Sequence, residues 1–221
     1  MDSKILAVLG GTGQQGGALA LRWARAGHEV VIGSREAARA EAKARDIIAR
    51  VPGARVSGRD MAGAAAAGQI VVLSVPYAVH AATLAAIKDW VQGKLVVDVT
   101  VPLTPPRVAR VQLPPEGSAA VAAQAALGPG VKVVSAFQNV AAHLLEEDGP
   151  VACDVLVCGD DKDAREEVVA LARAAGTRAF HAGSLANSAA AEALTSVLIF
   201  VNGRYRTTAG IRLTGLPDEP A

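Results

Sequence analysis

Aromatic residues are nearly missing from this sequence: Phe, Trp and Tyr together make up 3% of its 221 residues. That scarcity argues against the stacking platforms by which proteins hold single-stranded nucleic acid. An excess of charge of either sign is lacking too, with 22 Lys and Arg against 21 Asp and Glu and a formal net charge of +1. Such a balance gives no electrostatic reason to expect nucleic acid or an anionic membrane as partner. Cysteine occurs twice, at Cys153 and Cys158. An odd separation on a strand puts the two on opposite faces, so they are expected to be separate buried thiols. A zinc site would need a second Cys/His pair to close its tetrahedron. No window approaches the roughly 20 apolar residues that span a bilayer. The apolar stretch near the C-terminus is interrupted by Asn187, Ser188, Glu192, Thr195 and Ser196. The first residues, Met1-Asp2-Ser3-Lys4, enter a short apolar run without the pattern of a signal peptide. A cytoplasmic protein is expected. A convincing Ser/His/Asp set and paired carboxylates are also wanting. His28, His80, His143 and His181 are scattered and are expected at the surface or at helix ends. No catalytic side chain and no metal are expected.

What the chain has is apolar bulk, 51% of its residues, much of it Ala and Val, which is enough for a substantial core. Apolar β-branched runs of strand length occur at Ile5–Leu9, Glu29–Ile32, Ile70–Val75, Leu95–Val99, Val131–Ala136 and Val155–Cys158. Helical stretches fall between them, near Gln15–Ala26, Ala37–Arg50, Val79–Trp90, Ser118–Leu127 and Asp161–Ala175. Nearly continuous apolar strands alternating with helices predict a doubly wound α/β fold with a mostly parallel sheet. Residues 1–183 are expected to form this Rossmann domain, and 184–221 a small C-terminal helix and tail that completes a substrate cleft. Gly27 and Gly176 stand where helix C-caps are wanted. Five prolines between Pro102 and Gly117 predict a long loop over the sheet edge, of the kind that often carries function.

Gly11, Gly13 and Gly16 make a G-x-G-x-x-G spacing between the first strand and the first helix, within Gly10-Gly11-Thr12-Gly13-Gln14-Gln15-Gly16. In that context the first glycine allows a tight turn, the second a close approach of backbone to a pyrophosphate, and the third helix–strand packing. The helix N-terminus then offers free N–H groups to the phosphates. NAD binders place an acid about 20 residues further on, whereas here Gly33-Ser34-Arg35 follows. A hydroxyl and a guanidinium suit a 2′-phosphate, and Arg39, one turn later, adds a second charge. The dinucleotide is therefore expected to be NADP(H).

Several blocks together resemble NADPH-dependent reductases of coenzyme F-420 (F420), a deazaflavin. They are residues 7–13 (AVLGGTG), 27–35 (GHEVVIGSR), 96–100 (VVDVT), 154–161 (DVLVCGDD) and 209–216 (AGIRLTGL), and the similarity runs from Ile5 to Leu216. The oxidoreductase domain of membrane ferric reductases is similar at a greater distance. The resemblance implies direct hydride transfer between nicotinamide and deazaflavin stacked in one cleft. It implies Thr12, Gly13, Gln14 and Gln15 at the pyrophosphate, and Ser34, Arg35 and Arg39 at the 2′-phosphate. Val75, Tyr77, Val101 and Leu103 would line the nicotinamide side. Gln138, Asn139, Val140 and Ala142 would approach the cleft floor, and Ala209 with Gly210 would meet the deazaflavin. Members of the family often carry His or Asn followed by Thr where this chain has Gln138-Asn139. They are typically dimeric, so a homodimer acting on a small-molecule redox substrate is expected. A reductase of another acceptor (flavin, ferric chelate or pterin-like) and a non-catalytic NADP(H) sensor are the alternatives.

Overall fold

The computed structural model of the protein describes residues 4–216. Eight strands form one sheet: β1 (Ile5–Leu9), β2 (Glu29–Ser34), β3 (Val56–Asp60), β4 (Ile70–Leu73), β5 (Leu95–Asp98), β6 (Lys132–Ser135), β7 (Val151–Gly159) and β8 (Thr177–His181). Their order is β3-β2-β1-β4-β5-β6-β7-β8. All neighbours are parallel except β6 and β7, which run antiparallel. The helices are α1 (Gln14–Arg25), α2 (Ala37–Arg50), α3 (Met61–Ala67), α4 (Tyr77–Ile87), α5 (Ala119–Leu127), α6 (Ala142–Glu146), α7 (Lys162–Ala174) and α8 (Ser188–Tyr205).

The central strands are apolar throughout because helices cover both faces. Leu6 and Val8 point to the face packed by Leu19, Trp23, Ile47, Val168 and Leu171 of α1, α2 and α7. Ala7 and Leu9 point to the face packed by Ala64, Leu84, Ile87, Ala120 and Leu127 of α3, α4 and α5. Trp23 Nε1 donates to the Leu171 carbonyl at 2.9 Å, joining α1 to α7 across the first face. Cys153 belongs to this first core, and the Cys158 thiol lies 4.0 Å from the Ala182 carbonyl. Both cysteines are buried and free, as their spacing predicts.

The fold departs from the expected pattern at six places. Strands β3 (VSGRD) and β8 (TRAFH) lie at the two edges of the sheet, so neither shows a long apolar run. Helices α3 and α6 are only seven and five residues long, and α3 is started by the Asp60 carboxylate, which accepts from Gly63 N–H at 2.7 Å. Strand β7 is nine residues long, and a bulge between Val151 and Asp154 separates its first residues from the portion that the apolar run predicts. The proline-rich loop follows the internal strand β5, so it stands over the carboxyl end of the sheet, not over an edge.

The segment Leu185–Tyr205 is long and apolar enough, by length and composition, to cross a membrane, contrary to the expectation from its polar interruptions. In the fold, one side of its first half packs on the core, where Ser188, Ala191, Glu192 and Ser196 are buried. Its second half leaves Val197 and Phe200 exposed, the latter by 61%.

Arg22 shows how α1 is tied to the segment that leads into β7. It is 7% exposed, and its guanidinium donates to the carbonyls of Leu145 (2.7 Å), Gly149 (2.6 Å), Glu147 (2.6 Å) and Leu144 (3.2 Å). Replacing it leaves those carbonyls without their donor. Arg22→Met should cost about 3 kcal/mol, read as a lower urea midpoint with an unchanged m-value, and Arg22→Lys should recover part of the loss. A shift below about 0.5 kcal/mol would contradict this role for the side chain.

Candidate functional site

The order of strands reverses between β1 and β4, which opens a crevice at their carboxyl ends. Gly10 turns the chain there with φ +80°, and a Cβ on it would overlap the Ser74 carbonyl at the end of β4. The left-handed residue of the turn is thus Gly10, one position before the glycine expected to supply it. A Cβ on Gly16 would sit 2.8 Å from the Gly10 carbonyl, so helix α1 and the turn touch through bare backbone. A Cβ on Gly13 would meet only the Gly10 carbonyl, at 3.2 Å, which leaves its outer side open. Gly13 begins α1 with no side chain capping it and no acid in the first turn. The N–H groups and positive dipole end of α1 therefore face the crevice without a competing anion.

Ser34 ends β2 almost buried, and its Oγ accepts from Glu36 N–H at 3.4 Å. Arg35 and Arg39 are exposed, and Arg39 lies 3.9 Å from the Glu36 carboxylate. An exposed pair at that separation is weak and leaves the guanidinium able to turn to a phosphate. Asp60 stands opposite Ser34 in the neighbouring strand, but its Oδ1 is engaged by Gly63 N–H.

A cleft of about 440 Å³ runs from this turn across the sheet. Gly13, Gln14, Gln15, Val75, Tyr77, Val101, Leu103, Gln138 and Val140, all singled out in the sequence, line it together. So do Ser74, Pro76, Val99, Thr100, Phe137 and Thr195, which sequence reasoning did not select. A smaller adjoining cavity of about 110 Å³ brings in Asn139 and Ala209, with Leu198, Ile199 and Asn202 of α8. Gly11, Thr12, Ser34, Arg35, Arg39 and Ala142 line neither cavity. Gly11 and Thr12 belong to the turn itself, Ser34 to Arg39 lie beyond it at the end of β2, and Ala142 opens α6.

The cleft floor is held by polar contacts among its own lining residues and with groups behind them. Phe137 takes φ +72°, is buried, and packs edge-on to Trp23 with ring centroids 5.9 Å apart. A bulky residue in the left-handed region is strained and persists only where its surroundings fix it. Its carbonyl accepts from Gln15 Nε2 at 3.4 Å. Thr195 of α8 donates to the Gln138 carbonyl at 2.9 Å, and Asn139 Nδ2 donates to the Ala191 carbonyl at 2.8 Å. Gln138 Nε2 donates to the Asp98 carbonyl at 2.9 Å. Among the described residues, Gln138 Oε1 and Thr100 Oγ1 are buried without a hydrogen-bond partner.

The histidines are not all peripheral, as the sequence suggested. His28 and His80 are buried, and His80 Nε2 lies 2.7 Å from Asp98 Oδ2 behind the cleft wall. Asp98 also accepts from Thr100 N–H at 2.9 Å, so it is a buried, hydrogen-bonded carboxylate. The Tyr77 ring stacks on His80 with centroids 6.1 Å apart, and burial raises its phenol above the usual range. His143 meets the Thr208 hydroxyl and His181 the Glu166 carboxylate, both at exposed positions. Among the described residues no group of His, Cys, Asp and Glu has the makings of a metal site.

Comparison with known proteins agrees with this geometry. Residues 5–102 match the family model described as NADP oxidoreductase coenzyme F420-dependent. The chain is 42% identical to the F420-dependent NADP reductase of Methanocaldococcus jannaschii, over 96% of this chain and 98% of that one. It is 43% identical to the F420-dependent NADP reductase of Methanothermobacter thermautotrophicus, over 97% of this chain and 96% of that one. A crystal structure from Arthrobacter sp. FB24, provisionally assigned as an F420-dependent NADP reductase, superposes with a TM-score of 0.76 at 29% identity. That match covers 92% of this chain and 94% of that one.

Glu192 ties α8 to this region and makes its attachment sensitive to pH. Its carboxylate accepts from Ala119 N–H (2.7 Å) and Ala120 N–H (3.1 Å) at the start of α5, beside the Ser118–Ser188 hydroxyl contact of 2.7 Å. Burial pushes the carboxyl up to about 7, against the pull of the two N–H donors, and the nearby Asp98 charge pushes the same way. An acid whose folded value is raised holds its proton more tightly when folded. The contribution of Glu192 to stability is therefore greatest below about pH 4.5 and falls as pH rises to about 7, by roughly 3 kcal/mol in all. Subtracting the pH–stability curve of Glu192→Gln from that of the wild type should isolate this slope. Wild-type and variant curves that run parallel from pH 5 to 8 would contradict it.

Proposed function

We propose that this chain, which belongs to the family of F420-dependent NADP reductases, moves a hydride between NADP(H) and coenzyme F420. One observation carries the reading: a single charge-poor cleft joins the uncapped N-terminus of α1 to the face formed by residues 137–140 and α8. Hydride transfer between two carbon centres needs them held at contact distance, and positioning supplies most of the acceleration. When bound, NADPH would supply the hydride and F420 would accept it, with the accompanying proton drawn from solvent.

The chain's own residues orient and desolvate. We assign Gly11, Thr12, Gly13, Gln14 and Gln15 to the pyrophosphate, where backbone N–H groups and the open side of Gly13 suit an anion. Ser34, Arg35 and Arg39 would hold the 2′-phosphate, and Ser34 at the end of β2, where an NAD binder places an acid, supports NADP(H) over NAD(H). Val75, Tyr77, Val101 and Leu103 would exclude water beside the nicotinamide. Thr100 and Gln138, with polar atoms not used by the protein, leave the cleft wall able to take a carboxamide. Gln138, Asn139, Val140, Ala142, Ala209 and Gly210 would face the deazaflavin. His80 and Asp98 hold each other behind the wall, so no side chain is assigned a catalytic role.

The same proposal divides the chain into a dinucleotide-binding domain, 1–183, and a C-terminal helix and tail, 184–221, that complete the cleft. Thr195 and Ala209, both in the second part, line the cavities and support that division. It also takes the enzyme to be a cytoplasmic homodimer. A second copy would cover the exposed Val197 and Phe200 of α8.

Mixing the protein with NADPH and oxidised F420 should bleach the deazaflavin absorbance. NADPH binding without bleaching would overturn the assignment of acceptor and favour oxidation of NADPH by a flavin or a ferric chelate. Arg35→Ala should weaken NADPH by about 10-fold or more and NADH by less than 2-fold, because only the former carries the 2′-phosphate. Equal losses for both nucleotides, measured by calorimetry, would contradict the assignment of Ser34 and Arg35.

A further inference from the structure

The chain beyond α8 is hooked to β7 at Asp154, whose buried carboxylate also pairs with Arg178 of β8. Arg206, with φ +52°, closes the helix, and the Asn202 side chain then grips Ala209, accepting from its N–H at 2.6 Å and facing its carbonyl at 3.5 Å. Gly210 lies flat against Cys153, so that a Cβ there would stand 2.7 Å from the thiol sulfur. Asp154 follows the bulge in β7. Its N–H donates to the Ile211 carbonyl at 2.9 Å, and its Oδ2 accepts from Leu213 N–H at 2.7 Å. The carboxylate is 1% exposed and takes Arg178, its cross-strand partner on β8, through two bonds of 2.9 Å. The same guanidinium reaches the Leu213 carbonyl at 3.4 Å and lies over the Phe180 ring at 5.0 Å.

These contacts act on one short segment, and that segment forms a wall of the site. The bulge gives the Asp154 N–H to the tail, and the carboxylate between Arg178 and Leu213 N–H fixes the tail's height on β7. Ala209, just before this hook, closes the cavity formed with Gln138, Asn139, Val140 and Thr195. Among the described residues, none of those that line the larger cleft belongs to the hook. We propose that Asp154 and Arg178 are positioning residues for the second substrate, a planar deazaflavin, and that they act by latching residues 209–213 against β7. This rests on the proposed function, since it concerns the acceptor half of the same cleft.

The latch predicts a loss confined to one substrate. Arg178→Met should raise KM for F420 by about 10-fold while kcat changes little and the Kd for NADPH, by calorimetry, stays within about 2-fold. Gly210→Ala, which leaves the ion pair intact, should raise the same KM by pressing the tail off Cys153. Adding Cys153→Ala to Gly210→Ala should restore it, a rescue that general destabilisation would not produce. Backbone amide exchange at residues 209–213 should quicken in both single variants. An unchanged KM for F420 in Arg178→Met and Gly210→Ala, or equal losses for NADPH and F420, would overturn the latch. A wild-type enzyme that binds NADPH but never reduces F420 would overturn the proposed function instead, and this proposal with it.

Discussion

The close approach of Gly10 to the Ser74 carbonyl is the constraint on which the carboxyl end of this sheet depends. It lets β1 end against β4 with only backbone between them, at the point where the strand order reverses. Helix α1 can then start directly on the turn, because Gly16 tolerates contact with the Gly10 carbonyl. The N-terminus of α1 is thereby delivered, uncapped, to one end of the cleft. A side chain at either position would separate helix from strand and move the N–H groups at the start of α1.

At the other end, buried polar groups hold a floor on which no charge is exposed. Glu192 fixes α8 to α5, Thr195 and Asn139 join α8 to residues 138–139, and Gln138 is tied back to Asp98. The buried pair His80–Asp98 supports the wall from behind and does not line the cleft. This division suits a reaction in which geometry matters more than proton transfer: the ionisable groups orient the walls, and apolar side chains line the cleft.

How much of this was legible in the sequence depended on the physics behind each signal. Doubly covered strands such as β1 and β4 are apolar at every position, so they stood out, and the glycines of the turn marked the crevice. The edge strands β3 and β8 carried no such signal, because one side of each faces no neighbour. Thr195 was visible only as a polar interruption in an apolar helix, and its role needed the long-range contact with Gln138. His80 and Asp98 lie 18 residues apart on a helix and a strand, and nothing in their spacing revealed the pair. In α8 the buried positions are the small and polar Ser188, Ala191, Glu192 and Ser196 while Val197 and Phe200 stay exposed, so packing within the chain does not account for its apolar composition.

The central claim is that hydride passes directly from one ring to the other, with the protein contributing position and dryness. Following deuterium from the transferable C4 position of labelled NADPH tests it most directly. The account predicts that the label appears on the reduced deazaflavin without dilution by solvent hydrogen, at every pH where the enzyme turns over. Label released to water, or replaced by solvent hydrogen in the product, would contradict direct transfer and require an intervening acid–base or redox group in the protein.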